Sequence, residues 1–192
     1  MKTKLRIASI LFTISFFLQA QNQPKGIVGN TNWMNNWTNF KPAANDYSEA
    51  TNIIAGTIDK DTKLLKRNTY HLVGVVYVTN NATLTIEPGT VIRGDDKTCG
   101  TLVITTGSKI IAEGIETDPI IFTSEKEINN RKPGDWGGII VLGKAPINSL
   151  GGVNTLPFDL EANLNHYGGA DAEDNSGILK YVRIEYAGRK LS

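Results

Sequence analysis

The sequence predicts an all-β fold, a right-handed single-stranded parallel β-helix (solenoid) with an N-terminal aromatic capping segment, and three observations carry that reading. Thr83, Leu84, Ile86, Gly89 and Ile92 recur as Thr101, Leu102, Ile104, Gly107 and Ile110, at a constant offset of 18 residues. Each copy is an alternating apolar run, a Gly turn and a second short apolar run, and a unit that short can bury its apolar face only against its neighbours. β-Branched residues are dense from Thr69 onward, among 19 Gly and 7 Pro, a composition suited to many short strands and turns. Beyond residue 20 the helix period is absent. If each copy is one coil, Leu84 lies below Leu102 and Ile86 below Ile104.

Residues 1–20 read as a secretory signal peptide. Lys2, Lys4 and Arg6 precede an apolar run from Ile7 to Leu18, and Ala20 offers a small residue for cleavage. The run is too short to remain as a membrane-spanning helix, which needs about 20 residues, so no transmembrane span is expected once it is removed. The segment holds three basic residues and no acidic ones, leaving 17 Lys and Arg against 19 Asp and Glu. Without a basic field, nucleic acid and anionic membrane surfaces are not expected partners. The single cysteine, Cys99, can form no internal disulfide. Stability must then come from packing, and Cys99 reads as a small residue at a coil corner.

Residues 21–67 form the expected cap. Their centre crowds Trp33, Trp37 and Phe40 among asparagines, and a solenoid needs something across its first open coil. The alternative role for Trp33 and Trp37 is ligand binding, since indole faces stack on sugar rings and the Asn side chains serve hydroxyls.

The coils are assigned to residues 68–192, with insertions at 124–133 and 149–176. Tyr70 to Val78 is the first strand, Asn80-Asn81 a turn, and Glu87-Pro88-Gly89 a corner at which Pro fixes φ and Gly takes the conformation others avoid. Leu84 and Ile86 share parity and point inward, while Thr83 and Thr85 face out. A further coil runs over Gly134 to Gly143, with Ile140 placed 36 residues after Ile104. The last strand, Ile178 to Gly188, is followed by only four residues. A coil left bare there is expected to be covered, either by further rungs of a longer protein or by another chain.

Several of these motifs together resemble a known family. They are Tyr77-Val78, Thr83 to Asp95, Pro119 to Ser124, Gly134 to Ile139, Gly143 to Asn148 and Tyr181 to Gly188. Together they are similar to a family of exported right-handed parallel β-helix proteins of Bacteroidota-type bacteria, and the stretch from Trp33 to Phe40 resembles its N-terminal region. The resemblance implies a secreted or surface-displayed protein and no established activity. This chain lacks the cysteine of lipid-anchored relatives. It also ends where relatives carry further rungs, which implies C-terminal truncation.

The candidates for chemistry are sparse. Asp95 and Asp96, with Glu87 and Asp135, are the carboxylates that could face a sugar, as glycoside hydrolysis needs a pair across one bond. Adjacent Asp95 and Asp96 alternate sides in a strand and are more at home in a turn, where they cap backbone N–H groups. Asp171, Glu173 and Asp174 sit close enough to wrap Ca2+, without the spacing of the helix-loop-helix calcium motif. The two histidines, His71 and His166, lie far apart with no Cys or second His beside them, which is not metal-ligand spacing. No nucleophile elbow and no phosphate-cradling glycine loop occurs. The expectation is therefore a binding or scaffold protein, exported by a Sec-type signal and secreted or held at the cell surface or outer membrane of a Gram-negative bacterium. Its partner would be a polysaccharide or another cell-surface component. The alternative is a polysaccharide lyase or glycoside hydrolase-like β-helix enzyme, or a fragment of one.

Overall fold

The computed structural model describes residues 34, 35, 37–39 and 41–191. Of two compact units, 1–35 and 36–192, the second holds every element below. The signal segment and Trp33 lie outside the described residues. None of the described helices is long and apolar enough to cross a membrane.

The architecture is a parallel β-helix whose coil has three faces. Strand β1 (Asn52–Ile58) pairs in parallel with β3 (Thr69–Val78), and β2 (Thr62–Leu64) pairs in parallel with β4 (Thr83–Ile86). β3 then divides: Thr69 to Leu72 pair with β5 (Val91–Gly94), whereas Val75 to Val78 pair with β6 (Thr101–Ile104). One long strand therefore crosses two faces. The bend falls at Gly74, with φ of 65°, and its counterpart in β1 is Gly56, with φ of 72° beside a register shift. Left-handed backbone at a bend is what glycine adopts without steric cost.

Later coils repeat the order. On the first face β5 is followed by β8 (Ile120–Ser124) and β13 (Val182–Ile184). On the second, β6 is followed by β9 (Gly138–Val141). On the third, β4 is followed by β7 (Lys109–Glu113) and β12 (Gly177–Lys180). Columns of apolar side chains fill the bore, among them Tyr70, Ile92 and Phe122 on the first face and Val76 and Leu102 on the second. Each fully buried Leu, Ile or Phe contributes about 1.5–3 kcal/mol.

The 18-residue repeat is real, but it is not one coil. Leu84 pairs with Ile110 and Ile86 with Ala112, while Leu102 lies between Val76 and Ile139. One coil takes 22 residues from Thr62 to Leu84, and the next takes 26 from Leu84 to Ile110. What repeats is a strand and its corner. Glu87 O accepts from Thr90 N around Gly89, and Thr105 O accepts from Ser108 N around Gly107, both glycines at positive φ. The first copy carries the chain from the third face to the first, the second from the second face to the third. Inward parity is as expected, since Leu84 and Ile86 are buried and Thr83 and Thr85 are not. At the next coil Ile104 pairs with Val141 and Ile140 with Val103. That one-residue slip moves Ile140 to the opposite face of the strand.

The coils begin before residue 68. The first coil is already built by β1 and β2, inside the stretch assigned to the cap. Many of the residues assigned to the cap before it, Trp33 and Phe40 among them, lie outside the described residues, and residues 41–50 run as a strap across the coils. Thr51 N bonds Thr69 O, Ser48 O accepts from Arg93, Tyr47 reaches Arg183 and Glu185, and the Trp37 ring meets Tyr181. The second insertion packs against the second face. Its hairpin of β10 (Val153–Thr155) and β11 (His166–Gly168) sets Leu156, Leu160, Leu164 and Tyr167 against Tyr77, Val103 and Leu142, forming a second apolar cluster.

Candidate functional site

Chemistry concentrates at the corner that follows the first face. The third and fourth coils leave that face by an acidic residue just after the strand: Asp95 follows β5 and Glu125 follows β8, and Glu125 N bonds Gly94 O. His71 stands on β3 one coil earlier, paired with Arg93. Its ring Nε2 lies 3.1 Å from Asp95 Oδ1 and 3.7 Å from Glu125 Oε2. Asp95 Oδ2 accepts from Thr98 N at 2.6 Å and from Thr98 Oγ1 at 2.5 Å. The first insertion brings Lys126, whose Nζ reaches Asp135 Oδ1 at 2.8 Å and Asp96 Oδ2 at 3.1 Å. Asp135 also accepts from Ser124 Oγ and Lys132 N, so its carboxylate ties both ends of that insertion together.

Asp95, Asp96 and Asp135 are thus brought to one corner, with His71, Glu125 and Lys126 beside them. Sequence spacing gave no sign of the last three. The coil register joins residues far apart in the chain, and only the shared position of Asp95 and Glu125 after their strands could have linked them. The environments separate the group electrostatically. Burial pushes Glu125 up, helped by a hydrogen bond shared with the Asp96 carboxyl and by the charges of Asp95 and Asp96. The bond from Lys126 holds Asp96 below its usual range. Burial works to raise Asp95 and Asp135. It is outweighed at Asp95 by the Thr98 bonds and the His71 ring, and at Asp135 by Lys126, Lys132 N and Ser124.

The sign of the pH dependence follows. Asp135, lowered in the folded state, contributes stability that is present above its unfolded value near pH 4 and lost as pH falls through its folded value. Glu125, raised, has the opposite sign: it favours folding at low pH and takes that contribution away as pH rises through its folded value. Asp135→Asn should cost about 2 kcal/mol at pH 7, because the amide keeps one acceptor oxygen and loses the charge. It should also flatten the loss of stability between about pH 5 and pH 3, read by urea unfolding at each pH.

The remaining candidates lie elsewhere. Trp37 is half-buried with its ring perpendicular to Tyr181 at a centroid distance of 5.4 Å. In the acidic loop Asp171 Oδ1 accepts from Glu173 N, and Asp174 Oδ2 accepts from Lys144 N at 2.7 Å. Glu87 pairs with Lys63 at the opposite corner. Among the described residues, His71, Asp95 and Glu125 are the set of three whose ligand atoms converge, all within 4.8 Å of one another.

A groove lies between the second face and the second insertion. Two adjoining hollows of about 470 and 450 Å3 are lined by Thr57, Val75, Tyr77, Asp159, Glu161 and Asn163, among others. Tyr77 Oη accepts from Glu161 N at 2.9 Å and fixes the insertion to the coil. Neither hollow is lined by a member of the carboxylate corner.

Residues 56–192, well over half of the chain, match the family model described as a pectate-lyase-like beta helix domain. No curated protein and no solved structure matches the chain.

Proposed function

This chain belongs to the family of pectate-lyase-like beta helix domains, and we propose that it is an exported β-helix that binds polysaccharide at a bacterial cell surface. The groove between the second face and the second insertion carries this reading. Its volume of about 470 Å3 falls in the range of small-ligand sites, about 300–1,000 Å3. Its lining mixes the Thr57 hydroxyl, the Asn163 amide and the Glu161 carboxylate with the apolar Val75 and Leu164, the combination that meets both the hydroxyls and the C–H faces of a sugar. One wall is a sheet stiffened by stacking. The other is an insertion anchored to the coil through its apolar cluster. Export is supported by the basic and apolar segment at residues 1–20.

A glycan array on the purified protein tests the reading. Binding should appear and fall at least tenfold in the double variant Glu161→Ala with Asn163→Ala, at an unchanged melting temperature. A blank array, or binding indifferent to both changes, removes it.

One observation favours a second reading, cleavage of a polysaccharide at the carboxylate corner. Glu125 is held up while its neighbour Asp96 is held down, the split that assigns acid and base roles to two carboxyls. Release of unsaturated or reducing ends from a panel of polysaccharides, abolished by Glu125→Gln, would support it. Silence across the panel would dismiss it.

A further inference from the structure

We infer that His71, Asp95 and Glu125 form a binding site for a divalent transition metal of the Zn2+ class. The inference uses the carboxylate corner but stands whether or not a sugar is bound or cleaved anywhere on the protein.

Geometry is the first support. Three ligands about 2.0–2.2 Å from a Zn2+ ion are separated from one another by about 3.0–3.6 Å. Nε2 of His71 stands 3.1 Å from Asp95 Oδ1 and 3.7 Å from Glu125 Oε2, so a small inward movement of the Glu125 side chain completes the triangle. Asp95 and Glu125 come from equivalent positions just past β5 and β8 on successive coils, and His71 stands on β3 one coil earlier, opposite Arg93, so the parallel pairing of β3 with β5 and of β5 with β8 sets all three. Sites on such strands are placed more firmly than sites on free loops.

The surroundings are the second. Asp95 Oδ2 is occupied by Thr98 N and Oγ1, which leaves Oδ1 turned toward the ring. Arg93 Nη2 holds the backbone carbonyl of Glu125, fixing the residue that carries the third ligand. Such outer contacts orient ligands at metal centres.

Charge is the third, and it is independent of the distances. Asp95, Asp96, Glu125 and Asp135 bring four carboxyls to the corner, and the one ammonium among them, Lys126, is engaged by Asp96 and Asp135. The neighbouring Arg93 guanidinium is engaged by the backbone carbonyls of Ser48 and Glu125 and by Glu49. Among the described residues, Asp95 and Glu125 therefore face a single imidazole and no other cation partner, with Asp95 buried and Glu125 partly so. A dication there offsets the mutual repulsion of the clustered carboxyls. An imidazole with two single carboxylate oxygens selects Zn2+ or a similar ion over Ca2+, which requires six to eight oxygens, and it leaves a coordination position open.

The test uses the purified full chain stripped with chelator, with ZnCl2, CaCl2 and MgCl2 as probes in calorimetry and thermal melting. One Zn2+ per chain should bind. A hundredfold excess over its dissociation constant should raise the melting temperature by roughly 5–10 °C, with little response to Ca2+ or Mg2+. Glu125→Gln and His71→Gln should each weaken Zn2+ at least tenfold, whereas His166→Gln, at the other histidine, should leave it unchanged. Glu125 is partly exposed, so its variant keeps the test open if the His71 change impairs folding. Absence of Zn2+ binding overturns the inference. So does Zn2+ binding that survives both variants, or a response to Ca2+ alone that disappears on Asp171→Asn.

Discussion

Trp136→Ala is expected to be among the most damaging single changes in the coil, costing about 3–5 kcal/mol and lowering the melting temperature by roughly 10 °C. The side chain is fully buried. It touches three coils at once. Its ring is stacked on Phe122 of the fourth coil at 6.3 Å between centroids, with the planes 13° apart. It covers Gly94 of the coil before so closely that a Cβ there would lie 2.6 Å from the indole. Its Nε1 donates to Glu185 O, just past β13, at 2.7 Å. Truncation leaves a large cavity and a buried carbonyl without its donor, and a rigid stacked sheet closes poorly around either. Trp136→Phe separates the two losses, since it keeps most of the packing and removes only the donor, for about 1–2 kcal/mol. Urea unfolding of both variants reads the difference. If Trp136→Ala falls within about 1 kcal/mol of the parent, the coils are not joined through this ring.

The sequence announces Trp136 only as one aromatic in a Gly-rich run, and the reason shows what a coil's sequence encodes. Alternation specifies which side of a strand faces the bore, so the inward set Leu84, Ile86, Leu102 and Ile104 was legible. Local turn chemistry was legible too. Asn80 and Asn81 both adopt positive φ between β3 and β4, and Gly89 does so after Pro88. Alternation does not specify which strand lies above which. That depends on how many residues each corner consumes, and the corners between β5 and β6 and between β8 and β9 differ in length. Two copies of one motif therefore came to lie on different faces.

The same limit applied at the carboxylate corner. Asp95, Asp96 and Asp135 could be picked out as acids, but His71 and Glu125 join them only through register. The second insertion is the exception to the missing helix period: Leu156, Leu160 and Leu164 recur every fourth residue, and the structure packs them against Tyr77, Val103 and Leu142.

Arg131→Ala is the other change expected to act strongly, by about 3–4 kcal/mol, and its effect should begin in the strap. The Arg131 side chain is fully buried. Its Nε donates to Lys126 O at 2.8 Å, Nη1 to Asn45 O at 2.7 Å and Nη2 to Asp46 Oδ1 at 3.3 Å, while the guanidinium lies 5.3 Å above the Tyr47 ring. One planar fork thus joins the first insertion to the strap, and Lys has neither the planarity nor the donors to replace it. Arg131→Lys should therefore recover little. Beyond this point the strap is held by Tyr47, whose hydroxyl faces the Glu185 carboxylate at 3.1 Å and accepts from Arg183 Nη2 at 2.7 Å. The strap has few apolar contacts with the bore, so it should open as a unit below the energy of global unfolding. In Arg131→Ala, amides at residues 45–49 should exchange faster and proteolytic cleavage there should accelerate. Amides in β4, β6 and β7 should keep their protection until the coil itself melts. If protection is lost from both regions together, the strap is an integral layer of the fold. Loss confined to the strap marks it as a separable cover over the first face, whose removal leaves His71, Asp95 and Glu125 on an intact coil.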